Sequence, residues 1–119
     1  IAPDLSDSEI RSIAASLLNA SIDGVIATNT TLDRACVEGL QNANESGGLS
    51  GSVLTPKSLH VTHVLADALE QRMPIIGVGG IDGPDAAKAR LQAGASLIQV
   101  YSAMIYQGPK LIKDIVDAL

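Results

Sequence analysis

The sequence predicts an α/β protein made of four consecutive βα units, because short apolar runs alternate with amphipathic stretches along the whole chain. Three complete runs lie within "DGVIATNTT", "IIGV" and "SLIQVYS", and unbroken apolar runs of this kind are typical of strands buried on both faces. A stretch with helical features follows each run, and no hairpin signal joins two of them. This order predicts parallel strands.

Two architectures use such an order, an open doubly wound sheet and a closed (β/α)8 TIM barrel. The chain begins "IAPDLS", an apolar pair that leads straight into a turn, as expected if the front of a strand were missing. Counting Ile1 as the end of that strand, we expect four consecutive units of the barrel. Because such a barrel needs about 250 residues, we expect residues 1–119 to be a fragment forming one half-barrel domain.

The helices are predicted from periodicity and from their end signals. Ser6 and Glu9 form a capping box ahead of the first helix. Thr55 is predicted as the N-cap and Pro56 as a first-turn residue of a second helix that reaches about Arg72. Glycine–proline pairs open two later helices. The apolar face of the first helix consists of Ile10, Ile13, Ala14, Leu17 and Leu18.

Composition excludes several classes of function. The chain has 119 residues, of which 46% are hydrophobic and 18% charged, as in a globular domain. A net charge of −5 and only two aromatic residues argue against nucleic-acid binding, which needs clustered cations and stacking platforms. No apolar run is long enough to span a bilayer. The single cysteine, Cys36, favours a reducing, cytoplasmic compartment.

Ligands of both candidate architectures bind at the carboxyl ends of the strands. Those ends read "APD", "TNTT", "GVGGID" and "YSAMIYQGP", and they are expected to form one rim. The glycine turn with Gly77, Gly79 and Gly80 precedes a helix, where free N–H groups suit a phosphate. A tight strand-to-helix turn would need the same glycines. The turn lacks the third glycine of the dinucleotide fingerprint, which disfavours a Rossmann nicotinamide site.

The polar run from Thr28 to Thr31 follows a fully apolar strand. Uncharged donors and acceptors of this kind suit a planar polar heterocycle such as a pyrimidine or a flavin, although an Asn/Thr turn that bonds its own backbone would look the same. The loop over residues 42–54, with "SGGLSG", is interpreted either as a flexible cover for a ligand or as a plain linker.

Four other candidates are weaker. His60 and His63 have a spacing that could bind a metal, but no carboxylate or cysteine joins them, so we predict an exposed helical face and no metal site. Cys36 is predicted to be an ordinary packing residue. Asp4 and Asp82 are predicted to be helix caps or first-turn residues.

Five stretches in this order and spacing resemble dihydroorotate dehydrogenase, over essentially all 119 residues: "IAPDLS", "DGVIATNTTLDR", "GGLSG", "PIIGVGGID" and "GASLIQVYSAMIYQGP". Each motif is weak alone, but five in register are specific. The form "ESGGLSG" resembles the quinone-dependent, membrane-associated class of the family. Among FMN-dependent barrel oxidoreductases, "ATNTTLDR" favours this family over the others.

The resemblance implies a TIM barrel that holds FMN, oxidises dihydroorotate to orotate in pyrimidine (UMP) biosynthesis and passes electrons to a quinone. The present strands would be the fifth to eighth, which is the C-terminal half of the barrel. By position, Thr28 would contact FMN, and Asn29 and Thr30 would hydrogen-bond orotate. The residues implied to hold FMN through backbone and phosphate contacts are Gly51, Gly80, Tyr101 and Ser102.

Parts of the family's machinery are not matched in these residues. The catalytic serine base and a flavin-contacting lysine fall outside the matched motifs, so no catalytic residue is assigned. The N-terminal helices that serve the quinone and peripheral membrane association are also outside them. We therefore expect the isolated chain to be inactive and the exposed half barrel to self-associate. The alternative is a non-catalytic phosphate-binding or structural half-barrel module.

Overall fold

The fold is a three-stranded parallel sheet with five α-helices, seen in a computed structural model that describes residues 1–119. The strands are β1 (Val25–Ala27), β2 (Ile75–Val78) and β3 (Leu97–Gln99), in the order β1-β2-β3. The helices are α1 (Asp7–Asn19), α2 (Thr55–Leu69), α3 (Pro84–Gln92), α4 (Ser102–Gln107) and α5 (Lys110–Ala118). The predicted parallel βα order is confirmed. A parallel sheet of three consecutive strands is found in both predicted architectures, the barrel and the doubly wound sheet, so the strand order alone does not distinguish them.

The strand register places the three carboxyl ends side by side. Val25 pairs with Ile75 in the β1–β2 ladder, and Ile76 pairs with Leu97 in the β2–β3 ladder. Residues that follow Ala27, Val78 and Gln99 therefore emerge at one edge of the sheet. This edge is the rim that the sequence predicted.

The predicted fourth strand is not formed as a strand, and the reason is its length. Only Ile1 is hydrogen-bonded along β1. Its N-terminal amine donates to the Ile26 carbonyl (2.8 Å), and its own carbonyl accepts from the Asn29 amide (2.8 Å). A single residue cannot make a ladder, because a strand is defined by successive pairs. Ile1 nevertheless lies beside β1, where a neighbouring parallel strand would run.

The two faces of the sheet are very different. One face packs on α1 and α2, with Val25, Ala27 and Ile75 in the main core. The other face carries Ile26 and Leu97, which are 50% and 60% exposed. Apolar side chains on an uncovered sheet face favour association with another surface. The predicted self-association of this half barrel stays a prediction.

Helix ends differ from the sequence prediction in two places. Thr55 is the first residue of α2, not its N-cap, because its hydroxyl donates to the Gly80 carbonyl (2.7 Å) instead of capping the helix. The helix also ends at Leu69, before Arg72. The Ser6–Glu9 capping box of α1 is confirmed. None of these helices combines the length and apolarity needed to cross a lipid bilayer.

The short helix α4 was not predicted. The sequence "YSAMIYQGP" was expected only to be part of the rim, but it forms a helix from Ser102 to Gln107 shortly after β3. Residues of this stretch alternate small, apolar and amphipathic side chains without a clear apolar face, so no helical period was visible. The Gln107 side chain fastens α4 to the neighbouring rim turn by donating to the Asp82 carbonyl (2.9 Å).

Candidate functional site

A cavity of about 770 Å³ opens at the carboxyl ends of the three strands. Its volume is within the range of small-molecule and cofactor sites. The polar run after β1, the glycine turn after β2, α4 and the loop before α2 together form its walls. All seven residues that the sequence predicted as binding residues line it, namely Thr28, Asn29, Thr30, Gly51, Gly80, Tyr101 and Ser102. The fold therefore brings together groups that are up to 74 positions apart (102 − 28) in the sequence.

Close packing accounts for the bare backbone of the glycine turn. A Cβ on Gly77 would lie 2.4 Å from Cγ of Arg90, and a Cβ on Gly80 would lie 2.4 Å from the backbone nitrogen of Thr55. Gly80 also has φ +73°, a conformation that disfavours a side chain. A side chain at Gly80 would therefore push against the start of α2.

The same turn also presents unused hydrogen-bond donors. The amide N–H groups of Gly79, Gly80 and Ser102 donate to no acceptor in the chain. The Ser102 hydroxyl is paired with that of Ser50 at 2.9 Å, across the cavity wall. The one charged side chain in the lining is the acidic Asp82, and no cationic side chain lines the cavity. An anion here would therefore be bound by neutral donors, as at other backbone-lined phosphate sites.

These observations fit a flavin nucleotide. The cavity has room for a flavin-sized group, and free amides lie at the turn where a phosphate was expected. Tyr101 is 70% exposed and stands at the mouth. A negatively charged phosphate is satisfied by N–H donors without a cationic side chain. The residues present can therefore hold the group that the resemblance implies.

In the polar run after β1, one side chain is hydrogen-bonded within the chain and another has a free hydrogen-bond donor. Thr28 is buried, and its hydroxyl is hydrogen-bonded to that of Ser58 (2.7 Å). The Asn29 carbonyl oxygen Oδ1 accepts from the Thr30 amide (2.8 Å), which is the self-bonded turn that the sequence left open as an alternative. The Asn29 side-chain nitrogen Nδ2 has no acceptor in the chain. It remains available to a ligand in the cavity.

The loop before α2 is anchored at its ends and in its middle. Thr31 and Leu49 exchange two backbone hydrogen bonds, of 3.1 and 2.8 Å. Arg34 donates to the carbonyls of Thr31, Glu45 and Gly47. Gly51 follows this closure with φ +94°, nothing lies within 4 Å of an added Cβ, and the residue lines the cavity. The loop thus forms a wall of the site, which favours the cover interpretation over a plain linker.

An ion-pair network beside the rim supports the run after β1. The Asp4 carboxylate accepts from the Thr31 hydroxyl (2.5 Å), the Leu32 amide (2.9 Å) and Lys57 Nζ (2.7 Å). Lys57 also pairs with Asp33 at 2.9 Å. Asp4 was predicted to cap a helix. It instead ties the segment that carries the polar run to the start of α2.

The protonation of Asp4 is shifted by these contacts. Partial burial alone would raise its pKa, but hydrogen bonds from Lys57, Thr31 and the Leu32 amide outweigh burial and lower the pKa from 3.8 to about 2. Hydrogen bonds to Asp33 and Asp4 raise the pKa of Lys57. The network is therefore ionised throughout the neutral range.

A pH dependence of stability follows from the lowered pKa of Asp4. Its contribution is present above pH 3.8 and is lost as the pH falls toward about 2. Because the side chain is one-third exposed, we expect the contribution to be about 1 kcal/mol or less. Urea unfolding at several pH values should show a steeper loss of stability below pH 4 for the wild type than for Asp4→Asn. Parallel profiles for the two proteins would contradict this.

The weaker candidates lie outside the cavity, with the exception of Asp82. His60 Nε2 is 2.7 Å from Asp7 Oδ1 on the surface, and His63 is exposed, as predicted. No group of three metal-ligating side chains is found in the chain. Cys36 is exposed in a 3-10 turn, so its prediction as a packing residue is wrong. Asp82 lines the cavity but its side chain caps no helix, since Gly83 occupies the N-cap of α3.

Sequence reasoning missed three supporting residues, Ser50, Ser58 and Arg90. The hydroxyls of Ser50 and Ser58 pair with those of Ser102 and Thr28, respectively. Such pairs depend on tertiary contacts and leave no local pattern. A signal for Arg90 was present in the sequence, because it is a cation in the alanine-rich α3. The glycine that makes room for it, Gly77, lies in the strand that Arg90 contacts.

Comparison with known proteins gives a consistent result. The family model described as "Dihydroorotate dehydrogenase" matches residues 1–119. The chain is 65% identical over 119 residues to a "Dihydroorotate dehydrogenase (quinone)" of Pseudoalteromonas atlantica, covering 100% of this chain and 36% of the relative. The protein of that name from Vibrio parahaemolyticus is 59% identical over 119 residues, covering 100% of this chain and 35% of the relative. The chain thus spans about a third of the length of the curated relatives it matches.

Solved structures agree with the sequence comparison. Ligand-free DHODH from Eimeria tenella superposes with a TM-score of 0.93 at 39% identity, covering 100% of this chain and 33% of that one. The same enzyme in complex with ferulenol gives 0.93 at 39% identity, covering 99% of this chain and 31% of that one. The superposition separates the two architectures that the sequence left open. The predicted fold class, consecutive βα units of a TIM barrel, is confirmed.

Proposed function

The chain belongs to the dihydroorotate dehydrogenase family, and from that premise we propose that it forms the C-terminal half of the barrel, strands five to eight, of a quinone-dependent enzyme. In the full-length protein this enzyme oxidises dihydroorotate to orotate in pyrimidine biosynthesis. Electrons pass through FMN to a quinone at the membrane surface, where the full-length protein is peripherally associated. The convergence of the seven predicted binding residues on one cavity is the observation that carries the proposal.

The proposed roles follow the chemistry of each group. Bound FMN supplies a ring system that accepts two electrons from the substrate. The free amides of Gly80 and Ser102 hold its phosphate, and Gly51 and Tyr101 complete the flavin wall. Thr28, with its hydroxyl fixed by Ser58, contacts the flavin by its remaining surface. No residue of this chain is proposed as the catalytic base.

Substrate recognition is assigned to the open end of the polar run. Asn29 Nδ2 is free to donate to an oxygen of orotate or dihydroorotate, and Thr30 contributes its hydroxyl beside it. The next residue in the run, Thr31, is anchored by its hydrogen bond to Asp4, and the Thr30 amide donates to Asn29 Oδ1. A fixed set of donors reduces the entropy lost when the substrate is positioned. Neutral donors also suit the pyrimidine ring, which presents both carbonyl and N–H groups.

The experiment that tests the proposal uses the full-length protein with its flavin. Adding dihydroorotate without oxygen should bleach the visible flavin absorbance and release orotate, and adding a soluble quinone should restore the absorbance. The isolated 119-residue chain, assayed in parallel, should give no dihydroorotate-dependent quinone reduction. A full-length protein whose flavin is not bleached by dihydroorotate would refute the proposed function.

A further inference from the structure

Arg90 on α3 is a fully buried cation without a counterion. Its side chain is 1% exposed, and its Cγ lies where a side chain of Gly77 would otherwise lie. One terminal nitrogen donates to the Val78 carbonyl (3.0 Å) and the other to the Gly79 carbonyl (2.9 Å). The remaining nitrogen, Nε, has no hydrogen-bond partner. No carboxylate forms an ion pair with this guanidinium.

Burying a charge in this way is costly. A guanidinium removed from water loses its hydration, and carbonyl dipoles return only part of that free energy. Burial without an anion lowers the pKa of Arg90 from its usual value. Even a buried ion pair can often be replaced by apolar residues of similar volume at no loss of stability. A buried unpaired arginine therefore points to an anion that is held nearby when the site is loaded.

The carbonyls that Arg90 holds belong to the peptide groups of the glycine turn. The Val78 carbonyl shares its peptide with the Gly79 amide, and the Gly79 carbonyl shares its peptide with the Gly80 amide. These peptides are trans, so each N–H points away from the carbonyl that Arg90 binds. Both amides lack an acceptor, and both residues line the cavity. Arg90 shares the Val78 carbonyl with the Thr28 amide (2.8 Å), whereas no backbone amide donates to the Gly79 carbonyl, so Arg90 fixes the Gly80 donor from behind and helps to fix the Gly79 donor.

We propose that Arg90 is a positioning residue for the phosphate of the flavin nucleotide, acting through the Gly79 and Gly80 amides. The inference rests on the proposed function, because it takes FMN as the anion at this turn. The guanidinium orients both peptide dipoles toward the cavity, and its charge stabilises the phosphate through them. The residue touches neither substrate nor flavin, and Gly77 leaves the space in which it lies.

The test compares two flavins that differ only in the phosphate. Full-length apoprotein is titrated with FMN and with riboflavin, following flavin fluorescence, for the wild type, Arg90→Met and Arg90→Lys. We expect Arg90→Met to raise the Kd for FMN at least about tenfold and to change that for riboflavin less than about threefold. Lysine keeps the charge but cannot hold both carbonyls. The Arg90→Lys protein should therefore prefer FMN over riboflavin to a degree between those of the wild type and Arg90→Met. Lys88→Met removes an exposed cation from the same helix and should leave both affinities unchanged.

Each other outcome has a defined meaning. Equal weakening of FMN and riboflavin in Arg90→Met would show a purely structural role and overturn the inference, as would an unchanged preference for FMN. If Arg90→Met does not fold, Arg90→Gln, which loses the charge but keeps one donor for a carbonyl, is measured instead and should bind FMN with a smaller preference over riboflavin than the wild type does. Wild-type protein that binds both flavins equally would overturn the inference alone. Wild-type protein that binds neither flavin would refute the proposed function as well.

Discussion

Replacing Gly77 with valine is expected to destabilise the full-length protein by about 3 kcal/mol or more. The new side chain would overlap Cγ of Arg90, and Cβ alone would lie 3.2 Å from the Cβ of Ala95. Arg90 cannot move far, because its two carbonyl hydrogen bonds are the only ones that compensate in part for the burial of its charge. The substitution therefore destabilises the protein in two ways, because it overpacks the core and it disrupts the hydrogen bonds of a buried cation. Chemical denaturation followed by circular dichroism measures the change.

Gly83 offers a matched control for that substitution. It has an extended backbone, and nothing lies within 4 Å of an added Cβ. Gly83→Ala should change the unfolding free energy by no more than about 0.5 kcal/mol. A Gly77→Val protein as stable as Gly83→Ala would show that Arg90 does not occupy the space beside β2.

Replacing Asn29 with alanine is expected to lower dihydroorotate turnover at least about a hundredfold, with FMN retained. The substitution removes the free Nδ2 donor and the Oδ1 acceptor that orders the Thr30 amide. Turnover of the full-length enzyme and its flavin content are measured on the same preparation. Asn44→Ala, an exposed loop residue outside the cavity lining, should retain both.

The outcome also separates the dehydrogenase from the alternative module. A non-catalytic phosphate-binding half barrel would bind its ligand equally well with or without Asn29 and would show no dihydroorotate turnover in the wild type. Wild-type-like turnover in Asn29→Ala would remove this residue from the substrate site. Loss of FMN together with turnover would reassign Asn29 to a structural role in the rim.

The sequence predicted the fold because its local signals agree with the global arrangement. Apolar runs with helical stretches between them required parallel strands, and the carboxyl ends of parallel strands meet at one edge. The position of the rim therefore follows from the order of the elements alone. The role of Gly80 in holding a phosphate stays a prediction. Its free amide suits a ligand, but its missing side chain is explained by contact with Thr55.

Other features depend on tertiary contacts that no local pattern records. Arg90 acts on the glycine turn only because α3 packs against β2, and Asp4 reaches Thr31 only because two rim loops are adjacent. Cys36 was predicted to be an ordinary packing residue, but it lies in a loop held by hydrogen bonds from Arg34 and is exposed. Short-range propensity does not report which of two neighbouring side chains faces water.

The most direct test of the account is an experimental structure of the full-length protein with FMN and orotate bound. We predict that the flavin phosphate lies within hydrogen-bond distance of the Gly80 and Ser102 amides. We also predict that orotate contacts Asn29 and Thr30, and that Arg90 still holds the two carbonyls behind the phosphate. A flavin whose phosphate lies away from this turn, or an orotate bound outside the strand-end cavity, would contradict the account.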